Sequence, residues 1–161
     1  MDEVAALRPI ELYCIDTWAD GDGPEVERRF DHNMQTALSR SKHSAKTYKD
    51  KAYSADALAK LLAQGNKEVF DFIYIDGSHT APDVLTDCIM AFRLLKVGGV
   101  MVLDDYLWTV DRSNELATTG AEDFYNLPKP AIDAFMNIFQ RKMRVLHQFP
   151  IYQLYAVKTG R

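Results

Sequence analysis

Along the chain, apolar runs of strand length alternate with longer segments of helical period, the signature of an α/β sheet. The strand-like runs occupy 10–15, 45–49, 69–75 and 100–103. The runs VFDFIYI and VMVL are nearly continuous in apolar, β-branched and aromatic residues. Such runs suit strands covered on both faces, as in a parallel sheet with helices above and below. A buried helix can also be apolar all round, but these runs are too short and are bounded by Asp and Gly.

The helical segments carry their own punctuation. Pro24 suits a first turn, Glu25 and Glu27 follow it, and Val26, Phe30, Met34, Ala37 and Leu38 lie along one stripe. Ser54 reads as an N-cap ahead of Leu58, Leu61 and Leu62, and Gly65-Asn66 is the stop signal. Pro82 opens a third helix whose expected inward face is Leu85, Cys88, Ile89, Phe92 and Leu95, with Gly98-Gly99 turning the chain into the next strand. A fourth starts at Pro130, buries Ile132, Phe135, Met136 and Phe139, and ends near Arg141-Lys142.

The tail departs from this alternation. Two strand-like runs, 143–149 and 151–157, are separated by Pro150 alone. Strands joined so closely pair antiparallel, because a parallel crossover needs a dozen or more residues. Between 109 and 127 lies a polar stretch with little periodicity, which reads as a lid-like loop within a single domain spanning 1–161.

Composition narrows the functional classes. At 161 residues with a formal net charge of −4 and basic residues scattered along the chain, no basic stripe for nucleic acid is expected. No apolar run approaches the roughly 20 residues of a membrane-spanning helix. The opening MDEVAALRPI lacks the pattern of a secretory signal. Cys14 and Cys88, each among apolar neighbours, read as reduced buried thiols, and the expected location is the cytoplasm.

In an open α/β sheet, ligands bind beyond the carboxyl ends of the strands. There the sequence places Asp16 after the first run, Asp76 and His79 in IDGSH, and Asp104 and Asp105 in LDDY. If the runs 69–75 and 100–103 are neighbours, Asp76, Asp104 and Asp105 meet at one rim. No Lys or Arg occurs from 68 to 81 or from 97 to 111 to offset them. Clustered carboxylates need a raised pKa, an imported counter-charge or a metal, and oxygen donors alone suit Mg²⁺, Ca²⁺ or Mn²⁺ rather than zinc. The plainer alternatives are strand-end acids that cap the next helix, a polar loop histidine at His79, and Tyr106, Trp108, Phe124 and Tyr125 as packing rather than a substrate wall. Successive strand residues point to opposite faces, so Asp104 and Asp105 share a target only if the chain leaves strand geometry there.

The stretch FDFIYIDGSHTAPDVLTDCIMAFRLLKVGGVMVLDDYLW resembles the core of a bacterial family of class I S-adenosylmethionine-dependent methyltransferases. It is also similar, more distantly, to catechol-type and macrocin-type metal-dependent O-methyltransferases. The likeness runs from about Ile10 to the C-terminus and is closest over 69–108. It implies a Rossmann-like, mostly parallel sheet with helices on both faces and a C-terminal antiparallel hairpin. By resemblance, Asp16 takes the position that holds the cofactor ribose, and Ser54 that beside the adenine, although Ala52 replaces a nearby glycine of the catechol-type enzymes. Asp76, assigned to the cofactor-binding set as well, joins Asp104 and Asp105 at the three metal-ligand positions, and His79 at that of a general base. The implied reaction is methyl transfer from S-adenosylmethionine to a hydroxyl of a small molecule, assisted by a divalent metal, most simply Mg²⁺.

One family feature has no counterpart. Members carry a first strand, a glycine-rich turn and a helix before the run at 10–15, whereas MDEVAALRP contains no glycine and resembles the tail of that helix. The missing strand is a central one, between 10–15 and 69–75. Those two strands then pair directly, or another chain fills the gap, or the chain is a fragment that folds poorly alone; an uncovered central strand edge would favour self-association, and cofactor binding by this chain alone is expected to be weak or absent. The functional alternatives are a methyltransferase lacking its upstream part and a catalytically silent Rossmann-like domain for binding or assembly. The acceptor itself is not legible.

Overall fold

A computed structural model describes residues 8–19, 23–41, 43–108, 124–147 and 152–161. The chain divides into two compact units, Met1–Ala57 and Leu58–Arg161.

The first unit holds strand β1 (Ile10–Asp16), helix α1 (Gly23–Arg40) and strand β2 (Ala45–Lys51). β1 and β2 pair in parallel from Ile10↔Ala45 to Asp16↔Lys51. Lys49 joins helix to strand: its ammonium reaches Glu27 at 2.7 Å and Asp31 at 2.8 Å, and lies 4.5 Å from the Trp18 ring centroid. Trp18 is buried against Phe30 with φ of 47°, and a side chain at Gly23 would collide with its carbonyl. Only glycine therefore opens α1 at this close approach. Val26, expected on the apolar stripe of α1, is exposed, so the covered stripe begins a turn later at Phe30.

Helix α2 (Ser54–Ala63) runs across the boundary between the units. Ser54 is its first residue rather than its cap, since the Ala57 amide bonds to the Tyr53 carbonyl. At the other end Gly65 has φ of 86°, and the Gly65 and Asn66 amides return to Leu62 and Leu61. The expected stop signal thus forms a left-handed C-terminal cap.

The second unit comprises β3 (Phe70–Ile75), α3 (Ala81–Leu94), β4 (Leu95–Leu103), a short 3₁₀ turn (Phe124–Asn126), α4 (Pro128–Ile138), β5 (Met143–Val145) and β6 (Leu154–Lys158). Its sheet has the order β3-β4-β6-β5. β3 and β4 are parallel, whereas β4–β6 and β5–β6 are antiparallel. The closing hairpin is as the sequence implies, with shorter strands. Residues 148–151 of its turn, 109–123 of the expected lid and the opening 1–7 lie outside the described residues.

Gly98-Gly99 does not end α3, as expected. The helix stops at Leu94, and both glycines lie within β4, where the register shifts from Phe70↔Leu95 to Phe72↔Val100. Gly98 takes φ of 86°, and a Cβ on Gly99 would stand 2.8 Å from Leu95 Cδ1 and 3.1 Å from the Asp71 carbonyl. The pair is a bulge that lets β4 begin early, not a turn.

Ile73 and Ile75 of β3, Met101 and Leu103 of β4, and Leu154 and Ala156 of β6 share one sheet face by the period of two. Over them pack Val84, Cys88, Ala91 and Phe92 of α3 with Ala131, Ile132 and Phe135 of α4. The buried face of α3 is turned from the expected one: Val84 and Ala91 are inside and Ile89 is exposed. Lys158 is buried too, its ammonium 2.8 Å from the carbonyls of both Phe92 and Leu95 at the end of α3.

β1 pairs with β2 and β3 with β4, and no ladder between β1 and β3 occurs among the described residues.

Candidate functional site

β3 and β4 lie side by side with Ile75 opposite Leu103, so the residues that follow each strand leave the sheet at the same end. The Asp104 amide still bonds to the Ile75 carbonyl at 3.0 Å, one step beyond the ladder. At Asp105 the chain turns, with φ of 56°, a conformation Asp tolerates better than most residues. The chain thus leaves strand geometry at Asp105, while the side chains of Asp104 and Asp105 take different partners. A small open pocket forms there, lined by Asp76, His79, Asp104 and Asp105 among others.

Asp105 and His79 form the centre of the cleft. His79 Nε2 lies 2.7 Å from Asp105 Oδ2, and its ring stacks on Trp108 with centroids 4.4 Å apart and planes inclined by 9°. A carboxylate on one nitrogen and an aromatic plane on the face fix the orientation of the imidazole. Trp108, expected as packing or substrate wall, packs on the histidine itself.

Asp104 is held from three directions. Its Oδ1 accepts the Asp105 amide at 2.8 Å. Its Oδ2 accepts the Tyr74 hydroxyl in a short hydrogen bond and the Gln153 amide at 3.2 Å. Gln153 also donates to the Tyr74 oxygen at 2.9 Å, and its own Oε1 accepts the Tyr155 hydroxyl at 2.7 Å. Burial raises the Asp104 pKa, but the donations from Tyr74, the Asp105 amide and Gln153 outweigh it and hold the carboxyl below its usual range. The Tyr74 phenol is raised in turn, first by its bond to Asp104 and then by burial and the charges of Asp76 and Asp105. Tyr152 bonds to Asp105, which with burial and the surrounding aspartates pushes its phenol up to about 12.

Tyr74, Tyr152 and Gln153 were not anticipated. A signal existed: Tyr74 is the hydroxylated member of the apolar run FDFIYI, and Gln153 is the amide inside IYQLYAV. The pairing of β3 and of β6 with β4 brings these positions to Asp104 and Asp105.

The donor chemistry of the cleft fits a hard divalent cation: carboxylate oxygens of three aspartates, with no local Lys or Arg in the two loops. In placement, no group of three or more His, Cys, Asp or Glu among the described residues is set as a ready metal site. Asp105 is turned to His79, and Asp104 to Tyr74 and Gln153. Two further expected residues belong to the other unit. Asp16 ends β1 and accepts the Trp18 amide on Oδ1 at 2.7 Å, and Ser54 opens α2. Asp76 follows β3 in the second unit and is exposed.

A mostly parallel α/β arrangement with a polar cleft at the carboxyl ends of two adjacent strands is the architecture of class I methyltransferases, and comparison with known proteins agrees. The family model for a methyltransferase domain matches residues 2–106, well over half of the chain, and the chain belongs to that family. No curated protein matches the sequence. Among solved structures, a Corynebacterium glutamicum protein is similar at 14% identity and a TM-score of 0.59, over 99% of this chain and 79% of that one. An O-methyltransferase from Bacillus cereus, in complex with SAH, is similar at 15% identity and a TM-score of 0.52, over 92% and 74%. The MycE methyltransferase of the mycinamycin biosynthetic pathway, in complex with Mg, SAH and mycinamycin VI, is similar at 13% identity and a TM-score of 0.55; the chain covers 46% of its length. These likenesses establish a Rossmann-like methyltransferase fold. Among the described residues no helix is long and apolar enough to cross a membrane.

Proposed function

We propose that this chain transfers the methyl group of S-adenosylmethionine to a hydroxyl oxygen of a small molecule, with a divalent cation, Mg²⁺ first, held at Asp76, Asp104 and Asp105. What supports the reading is that these three aspartates and His79 line one pocket at the carboxyl ends of β3 and β4. MycE, of the same fold, is seen with Mg and a small-molecule ligand, which supports the same reading here.

When bound, the cation lowers the pKa of a hydroxyl beside it. The chain's own residues do the rest. With the proton of His79 on Nε2, 2.7 Å from Asp105 Oδ2, Nδ1 is left as the proton acceptor, the tautomer a base needs. Trp108 keeps the ring from rotating. His79 takes the hydroxyl proton, the oxygen forms its bond to the methyl carbon, and the carbon–sulfur bond breaks to leave a neutral thioether. Asp16 and Ser54 are the proposed contacts for ribose and adenine, with Asp76 completing the cofactor-binding set. Positioning of this kind supplies roughly 7–11 kcal/mol of a barrier.

The test is transfer of labelled methyl to a panel of phenols and sugar hydroxyls at saturating S-adenosylmethionine, with Mg²⁺ and with a chelator. Transfer that needs the cation and falls about 100-fold or more in His79→Ala supports the proposal. Unchanged turnover in His79→Ala removes the histidine from the base role. No transfer to any acceptor favours a silent domain that serves binding or assembly.

A further inference from the structure

Helix α4 grips Tyr106, the residue that follows the two aspartates at the end of β4. The Tyr106 hydroxyl donates to Asp133 Oδ1 at 2.8 Å and accepts the Lys129 ammonium at 3.1 Å. That ammonium also lies 4.7 Å from the centre of the tyrosine ring. Lys129 and Asp133 stand one turn apart on α4 and pair with each other, so the phenol closes a triangle of three polar groups. The Tyr106 amide is held as well, by the Tyr152 carbonyl at 2.8 Å, and its ring packs against the core under α4.

This grip lies between the two residues that set the imidazole. Asp105, one position earlier, has a left-handed backbone, which persists only where the surroundings over-determine it. Trp108, two positions later, closes the turn with its amide 2.9 Å from the Asp105 carbonyl and lays its ring on His79. Carboxylate and indole thus hang on one short turn, fastened at Tyr106.

We infer that Tyr106 is a positioning residue for His79: tied to α4 through Asp133 and Lys129, it fixes the 105–108 turn and so the two side chains that orient the imidazole. The role rests on the reading of His79 as the base and needs no bound ion. α4 also lines the pocket through Pro128 and Ile132, so the tie holds base and pocket wall in one piece. Displacing a reacting group by about 1 Å can cost about 100-fold in rate, which gives such a tie its value.

The experiment is nuclear magnetic resonance of the histidine rings in the isotope-labelled intact chain, with the His79 signals assigned by their loss in His79→Ala. An aromatic plane shields the protons above it, so the His79 ring signals should lie upfield of those of the exposed His32 and His43. In Tyr106→Phe, which keeps the ring, and in Asp133→Ala, they should move most of the way towards those two, with melting unchanged. The double variant should move them no further, because both changes break one bond. Asp133→Asn, whose amide oxygen still accepts the phenol, should keep the native position; a loss equal to that in Asp133→Ala counts against the hydrogen bond as the link. On an acceptor found with the panel above, kcat should fall about tenfold or more in Tyr106→Phe and Asp133→Ala, with KM for S-adenosylmethionine unchanged. Native signals in both variants overturn the tie and leave the base reading standing, whereas no transfer by the native chain defeats the base reading and the signals still report the tie. His79 signals that are not upfield in the native chain overturn it outright. If Tyr106→Phe melts early, Asp133→Ala, altered on the partly exposed side of α4, decides alone.

Discussion

Replacing Lys158 with methionine tests how the end of α3 is satisfied inside the core. The ammonium is 2% exposed and donates to the Phe92 and Leu95 carbonyls at 2.8 Å each and to Glu68 Oε1 at 3.3 Å. It also lies 4.2 Å from the Phe92 ring centroid. The last carbonyls of a helix have no partner within it and carry the negative end of the helix dipole, so a buried cation there answers both needs. Two hydrogen bonds from a charged donor contribute roughly 1.5–3 kcal/mol each. Methionine keeps most of the volume and removes the cost of burying the charge, which offsets part of the loss. Glu68 is not left alone, because Arg161 Nε stands 3.0 Å from its other oxygen. The net expectation is a destabilisation of about 2–4 kcal/mol, or a fall in melting midpoint of roughly 5–15 °C. Urea unfolding followed by far-ultraviolet circular dichroism measures it, with an unchanged slope showing that only stability moved. A Lys158→Met chain as stable as the native one would refute the reasoning, because the two carbonyls would then need no cation.

Other outcomes follow from the same contacts. Cys88 is fully buried and its thiol is pushed up to about 12, chiefly by burial. It should resist iodoacetamide at neutral pH in the native chain and react after denaturation, as read by mass spectrometry; prompt native labelling would contradict its place in the core. Glu27 is held below its usual value of 4.5 by hydrogen bonds from Lys49 first and then Lys51. A depressed carboxyl contributes stability that is complete above the unfolded value and is lost as pH falls through the folded one. Glu27→Gln should therefore flatten the fall in stability on acidification below about pH 5, and identical acid limbs for the two proteins would exclude this. Phe135, fully buried between Phe92 and Phe139, should cost about 3–5 kcal/mol as alanine in urea unfolding.

The strands of the two units, the closing hairpin and the acidic rim were legible because they rest on local pattern: runs of β-branched residues, turn signals, and acids at strand ends. What was misread depended on distant neighbours. Gly98-Gly99 reads as a turn in isolation, and only the approach of the Asp71 carbonyl makes Gly99 part of a bulged strand. Ile89 and Val84 both fit a helical stripe, and the position of α4 decides that Val84 goes inside. Lys158 looks like a solvated strand end until the period of two from Leu154 and Ala156 carries it into the core, where helix carbonyls await it. In the site, Asp76, His79, Asp104 and Asp105 lie within a few residues of their strand ends, so chain order alone gathers them. Tyr74 and Gln153 are 79 positions apart, and their meeting is created by sheet topology rather than by spacing.

On the proposed function, the lip of the β3–β4 pair binds a divalent cation beside His79. Nuclear magnetic resonance of the labelled chain under sub-stoichiometric Mn²⁺ tests this directly, since the paramagnetic ion broadens the nuclei nearest to it. Broadening should appear first at the amides of 76–79 and 104–106 and leave β5, at the far edge of that sheet, sharp. Broadening centred elsewhere, or spread evenly over the acidic surface, would contradict the claim.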